Sequence, residues 1–246
     1  MSAFTELRDA IQKGDVQDVK LLLAKPYLLP VTDTECSTIL HEAVLGVTSL
    51  AQSSYRNASS AGVTSAAFGA IDILGEVLIR SDNVDMLARN QWNETALHIA
   101  STFFHPGVME LLISYLLKTN TEHRLPAYLD CKDCNGNTAL FWACFTRNVE
   151  VVKLLLRFNA SSISKNLCGD TALHEVAGIS KTRMNIDFEI AHLLIDHDAR
   201  VLDMKNAESL TPVECAVNDN DTSMVDLFRQ HTGTRKARPV GPEVVN

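Results

Sequence analysis

One short phrase recurs along the chain, and it constrains the fold more than any other feature. Ser37-Thr38-Ile39-Leu40-His41-Glu42-Ala43 returns as Glu94-Thr95-Ala96-Leu97-His98-Ile99-Ala100 and as Asn137-Thr138-Ala139-Leu140-Phe141-Trp142-Ala143. It appears again as Asp170-Thr171-Ala172-Leu173-His174-Glu175-Val176, and a last copy reads Leu210-Thr211-Pro212-Val213-Glu214-Cys215-Ala216. The threonines stand 57, 43, 33 and 40 residues apart, which a base period of about 33 with insertions of differing length accommodates. A second phrase follows, spaced like one apolar helix face: Glu76-Val77-Leu78-Ile79, Glu150-Val151-Val152-Lys153-Leu154-Leu155-Leu156 and Glu189-Ile190-Ala191-His192-Leu193-Leu194-Ile195. Each repeat thus reads as a short helix, a tight turn, a second helix with one apolar face, and a polar connection.

This pattern resembles the ankyrin repeat, with its period of 33 and its phrase T-P-L-H-x-A. Cys131 to Ala160 is the closest copy, with Asp133, Gly136, Thr138, Leu140, Ala143 and Glu150 through Leu156 in register. The resemblance covers residues 4–231 and implies an all-α ankyrin-repeat solenoid of paired antiparallel helices with β-hairpin-like loops between repeats. Six repeats are expected, at about 4–31, 32–88, 89–131, 132–164, 165–204 and 205–231, making one ankyrin domain over 1–231. The first has both helices but lacks the phrase, as an N-terminal cap should. The last, with Asn218-Asp219-Asn220-Asp221 before Met224-Val225-Asp226-Leu227-Phe228, reads as a polar C-terminal cap. Asn159 and Asp198 are expected to close second helices, since Asn and Asp tolerate positive φ best after Gly. Ile39, Ala96, Ala139 and Ala172 replace the phrase's Pro, at small cost where Ala stands. Phe141 and Glu214 replace its His. In the family that imidazole ties neighbouring loops together, so these two junctions need another arrangement.

Between Leu50 and Ile71 about 24 extra residues separate the two helices of the second repeat; the insertion, about 48–70, is rich in Ser, Ala and Gly. It reads as a mobile outer loop or, alternatively, as a partner-specific lid or phosphorylation site, with Arg56 three residues before Ser59. Shorter insertions occupy 119–129 and 180–187, and residues 232–246 read as a disordered tail.

Composition narrows the function. A net charge of −8 gives no generic polyanion-binding surface, so no nucleic-acid partner is expected. No apolar run reaches the roughly 18–20 residues of a membrane span, and Met1 to Glu6 has no basic start before an apolar stretch. Six cysteines without a secretory signal point to reduced thiols, hence a cytoplasmic protein. Cys131-Lys132-Asp133-Cys134 supplies only two of the four ligands a zinc site needs, so no metal is expected. His41-Glu42 and His174-Glu175 belong to the repeat phrase, and adjacent helix residues do not face each other. No H-E-x-x-H, G-x-S-x-G or P-loop appears. The expectation is no enzyme, no cofactor, no membrane and no small-molecule substrate.

What remains is surface. The resemblance implies a concave groove, lined by hairpin tips and by the exposed face of the first helices, that holds a protein partner. Counting from each Thr puts Trp92, Glu94, Asn135, Leu167 and Leu210 on tips, and Phe103, Phe145 and Ile179 on first-helix positions facing the groove. With only 6% aromatics in the chain, Trp92, Phe103 and Phe145 are the expected anchors, because rings bury large area at little rotamer cost. A register slip by one would instead pack them between repeats. Arg89, Lys132, Lys165 and Lys205 recur one step before each hairpin, as a basic stripe or a solvated edge. The function expected is a non-catalytic protein–protein interaction module. The alternatives are a pathogen or symbiont effector acting on a host protein in the host cytoplasm, or an ankyrin-type inhibitor of a kinase or transcription factor.

Overall fold

A computed structural model describes residues 3–24, 40–46, 71–79, 85–102, 106–118, 125–178 and 184–236, and the regular structure among them is entirely helical. The chain divides into two compact units, Met1–Ser161 and Ser162–Asn246. The first holds α1 (Ala3–Lys13), α2 (Val16–Leu23), α3 (40–46), α4 (71–79), α5 (Ala96–Ser101), α6 (Pro106–Lys118), α7 (Leu125–Leu129), α8 (Ala139–Phe145) and α9 (Val149–Arg157). The second holds α10 (Ala172–Gly178), α11 (Met184–His197), a 3-10 turn over Ala199–Asp203, α12 (Pro212–Asn218) and α13 (Thr222–Lys236). The insertion at 48–70, Phe103, Ile179 and residues 237–246 lie outside the described residues.

Local chemistry sets the boundaries. Thr95, Thr138 and Thr211 are extended and stand just before first helices; the Thr138 and Thr211 hydroxyls accept from the amides of Phe141 and Glu214, each at 3.3 Å. Three first helices, α1, α8 and α12, stop on a residue of positive φ: Gly14 at 74°, Arg147 at 60° and Asn220 at 56°. Their amides donate to Ile11, Cys144 and Val217, so carbonyls at the helix ends keep partners. The next residue caps the second helix: Asp15 accepts from Gln17 and Asp18, Asn148 from Val151, and Asp221 from Met224. The result is two antiparallel helices joined by a minimal turn.

Packing follows the apolar faces. Within the first unit α1 packs on α2, α5 on α6 and α8 on α9, while α5 meets α8 and α6 meets α9. Met109, Leu112, Ile113 and Leu116 of α6 and Val151, Val152 and Leu155 of α9 are fully buried. In the second unit α10 packs on α11 and α12. Ile190, Ala191 and Leu194 of α11 and Phe228 of α13 fill that core.

Four details differ from the expectations of the sequence. Ile79 is 77% exposed although Val77 and Leu78 beside it are buried: α4 turns about 100° per residue, and Ile73, Leu74, Val77 and Leu78 already complete one face. Asp198 does not close a helix at positive φ. Its φ is −151°, and its carboxylate accepts from the Arg200 amide at 2.9 Å and pairs with the Arg200 guanidinium, capping the 3-10 turn; Asn159 does take positive φ, at 65°. The insertion at 119–129 contains α7, which buries Leu125, Tyr128 and Leu129; its Pro126 sits in the first turn, where a missing N–H costs nothing. Finally, α13 runs past the expected tail boundary at 231 to Lys236, since no proline interrupts it before Pro239 and extending a formed helix is cheap.

Candidate partner-binding face

The tips between repeats are built four times by one device. Asn90, Asp133, Asn166 and Asn206 stand five residues before the phrase Thr. Each side-chain oxygen accepts from the amides two and four residues on: Trp92 and Glu94, Asn135 and Asn137, Cys168 and Asp170, Glu208 and Leu210, at 2.8–3.0 Å. Each turn then passes through positive φ at Asn93 (61°), Gly136 (77°), Gly169 (77°) and Ser209 (65°). Gly169 is required on a second ground, since a Cβ there would lie 2.6 Å from the Ala207 amide nitrogen. Neighbouring tips join through the backbone, with the Cys134 amide donating to Trp92 in the first unit and Ala207 to Cys168 in the second, both at 2.9 Å. The Asx residue is legible at a fixed offset from each Thr, but repeat register alone singles out only Asp133.

Histidine locks tip to helix. His98 Nδ1 accepts from the Thr95 amide at 3.0 Å and hydroxyl at 2.8 Å, which fixes the proton on Nε2; that N–H donates to the carbonyls of Cys131 and Asn137. His174 repeats this with Thr171 and the Leu210 carbonyl, and His41 Nε2 reaches the Glu94 carbonyl at 3.1 Å. Burial holds both the His98 and the His174 imidazoles below the ordinary histidine value, so the neutral form is favoured. Where Phe141 replaces His, the Trp142 indole N–H donates to Asp133 Oδ2 at 2.9 Å instead. Where Glu214 replaces it, the carboxylate caps Thr211 through amide and hydroxyl at 2.7 and 2.8 Å.

On this scaffold the expected contact residues fall into three groups. Trp92 (54% exposed), Phe145 (49%) and Leu167 (76%) present large apolar side chains to solvent, Trp92 and Phe145 in the first compact unit and Leu167 in the second. The Phe145 ring packs edge-on against Trp142 at 5.4 Å between centroids. Lys132, Asn135 and Lys205 are exposed polar neighbours of the tips. Glu94, Arg89, Lys165 and Leu210 are half-buried and serve the scaffold as well. Glu94 accepts from Asn90 Nδ2 at 2.7 Å. Arg89 donates to the Asn93 and Lys132 carbonyls, and Lys165 Nζ to the Lys205 carbonyl at 2.6 Å. Two members of the basic stripe therefore brace the following tip, a role that charge spacing alone does not reveal. The Leu210 amide and carbonyl are engaged by Asn206 and His174.

Cys131 is buried with its thiol donating to the Ala127 carbonyl, and burial pushes its pKa up; Cys134 is exposed. Among the described residues no three His, Cys, Asp or Glu side chains form a group that could hold a metal, and no helix is long and apolar enough to cross a membrane.

The chain spans only a small part of the curated relatives it resembles. It is 26% identical to dog inversin and 25% identical to human inversin, in each case over 143 residues that make up 56% of this chain and 12% of inversin. Two solved structures share its fold. The ankyrin repeat protein EF0377 aligns with a TM-score of 0.69 at 24% identity, over 92% of this chain and 96% of that one. An ankyrin repeat domain from Acinetobacter baumannii aligns with a TM-score of 0.67 at 18% identity, over 92% of this chain and 97% of that one. A family model for ankyrin repeats matches residues 51–167 and 113–203, more than half of the sequence. With the phrase, the capped helix pairs and the repeated tips, these matches establish that the chain belongs to the ankyrin repeat family.

Proposed function

We propose that the chain binds a protein partner through its tips and first-helix faces, with Trp92 and Phe145 as the apolar anchors. Ankyrin repeats are in general non-catalytic protein–protein interaction modules, and this reading assigns that role to particular side chains. The observation that carries it is the exposure of two large rings on rigid supports. The Trp92 backbone is held on both sides, its amide by Asn90 Oδ1 and its carbonyl by the Cys134 amide, and Phe145 rests on Trp142. Ordered aromatics lose little entropy when a partner covers them, which is why such residues concentrate binding energy. Lys132 and Asn135 would supply the polar rim.

The test is a comparison of proteins captured from cell lysate by the parent chain and by the double variant Trp92→Ser, Phe145→Ser. Both residues are exposed, so the helical signal should be unchanged while capture of specific partners weakens by about 30-fold or more. Capture that survives both changes at parental strength would remove these rings from the interface.

A further inference from the structure

Arg147 stands where a small residue is expected. It follows α8 at φ 60°, in the left-handed region, at the place that Gly14 holds after α1 and Asn220 after α12. Glycine has no Cβ to clash there and asparagine tolerates the region, whereas a long side chain carries the full penalty. The residue two before the stop is exceptional too. Gln12 and Asn218 are polar, while Phe145 is a half-exposed ring. We infer that Arg147 is a positioning residue, which pins the backbone of Phe145 and so aims its ring at the partner. This role rests on Phe145 being a partner anchor.

The guanidinium makes the link. Arg147 is buried, and its side chain folds back onto the helix that it follows. Nη1 carries two N–H groups and donates to the Phe145 carbonyl at 2.9 Å and to the Cys144 carbonyl at 3.1 Å. Phe145 is the last residue of α8, so its carbonyl has no acceptor role within the helix. Holding that carbonyl fixes the peptide plane after Phe145, and with it the direction of the Cα–Cβ bond. The ring end is held separately. Phe145 meets Trp142 edge-on at 5.4 Å, and the Trp142 indole is tied to Asp133 Oδ2 at 2.9 Å. Without the guanidinium, a ring on the last residue of a helix shares the fraying of the final turn.

A helix cap alone does not account for arginine here. Glycine would end α8 without strain, as Gly14 ends α1, and water can satisfy an end carbonyl. What glycine cannot do is hold the Phe145 carbonyl from beyond the helix end. The strained backbone at Arg147 is therefore matched to the one of these three helices that ends in an exposed ring.

The experiment compares Arg147→Gly with the parent, using the full chain. In nuclear magnetic resonance the edge-on contact with Trp142 gives the Phe145 ring protons a ring-current shift. Arg147→Gly should shrink that shift toward the value of an unstructured phenylalanine. Its melting temperature should hold or rise, because glycine relieves the positive-φ penalty. Capture of the proteins that the parent takes from cell lysate should weaken by about two- to tenfold, the cost of immobilising one loosened side chain again. Arg147→Lys, which keeps the charge and a donor, should restore part of both the shift and the capture. A ring-current shift unchanged in Arg147→Gly would overturn the role, and with a lowered melting temperature it would make Arg147 a plain cap. Capture unchanged by Arg147→Gly but weakened by Phe145→Ser would overturn it as well. If Phe145→Ser leaves capture at parental strength, the anchor assignment falls instead, while the ring-current shift of the free chain still decides whether Arg147 holds the ring.

Discussion

The junctions built on His98 and His174 and those built on Phe141 and Glu214 solve the same local problem in different ways. In all four a phrase Thr stands just before a first helix, and Thr95, Thr138 and Thr211 are extended. The imidazoles satisfy that Thr with Nδ1 and use Nε2–H to reach carbonyls 33 to 39 residues away in sequence, Cys131 and Asn137 from His98 and Leu210 from His174. Glu214 accepts from the amide and hydroxyl of Thr211, three residues back, and beside Phe141 the Trp142 indole bonds to Asp133 within one repeat. One ring couples distant segments, while the bonds made at the substituted junctions stay within one repeat. Long-range coupling should therefore be concentrated at the histidines.

The largest effect should come from His98→Ala, which strips the buried Cys131 and Asn137 carbonyls of a shared donor and leaves a void. A loss of about 2–4 kcal/mol in urea unfolding is expected. A loss as small as that of a single cap would break the comparison.

The pH dependence separates the two kinds of junction. His98 and His174 are held below the ordinary value of 6.5, so above that value both folded and unfolded chains are neutral there and stability is full. As pH falls through 6.5 the unfolded chain takes up protons that the folded chain resists. Stability drops from there until the depressed folded values are passed. Glu214 is held below its ordinary 4.5 by hydrogen bonds from Thr211, so its contribution is present above 4.5 and fades only as pH falls below it. Unfolding curves between pH 7 and 5 should lose their slope in the double variant His98→Ala, His174→Ala and keep it in Glu214→Ala.

Thr211→Ala should cost about 1 kcal/mol by thermal melting, the value of one helix cap. Smaller still, Ser209→Gly should stabilise by about 0.5 kcal/mol, because Ser209 sits at φ 65°, where glycine carries no Cβ penalty. A loss there would mean that the serine side chain supports the last tip.

Much of this architecture could be read from the chain. The phrase located the first helices, and the expected exposure of Trp92, Phe145 and Leu167 agrees with the structure, because a fixed offset from each Thr fixes which way a side chain points. Other features depended on atoms distant in sequence. Arg89 and Lys165 have the spacing of a charged stripe, yet the carbonyls of Lys132 and Lys205 lie within their reach. Asp198 has the character of a helix stop, yet Arg200 folds back on it.

By itself the sequence determined the repeat, the paired helices and the tips, since N-caps, positive-φ residues and apolar periodicity all act over a few residues of chain. The tertiary structure decided what each polar group is used for. A lysine on a tip can be solvated or can brace a neighbouring carbonyl, and the exposed His192 ring on α11 packs beside another only because α13 brings His231 to 5.0 Å between centroids. Those outcomes depend on distances between segments, which local propensity does not encode.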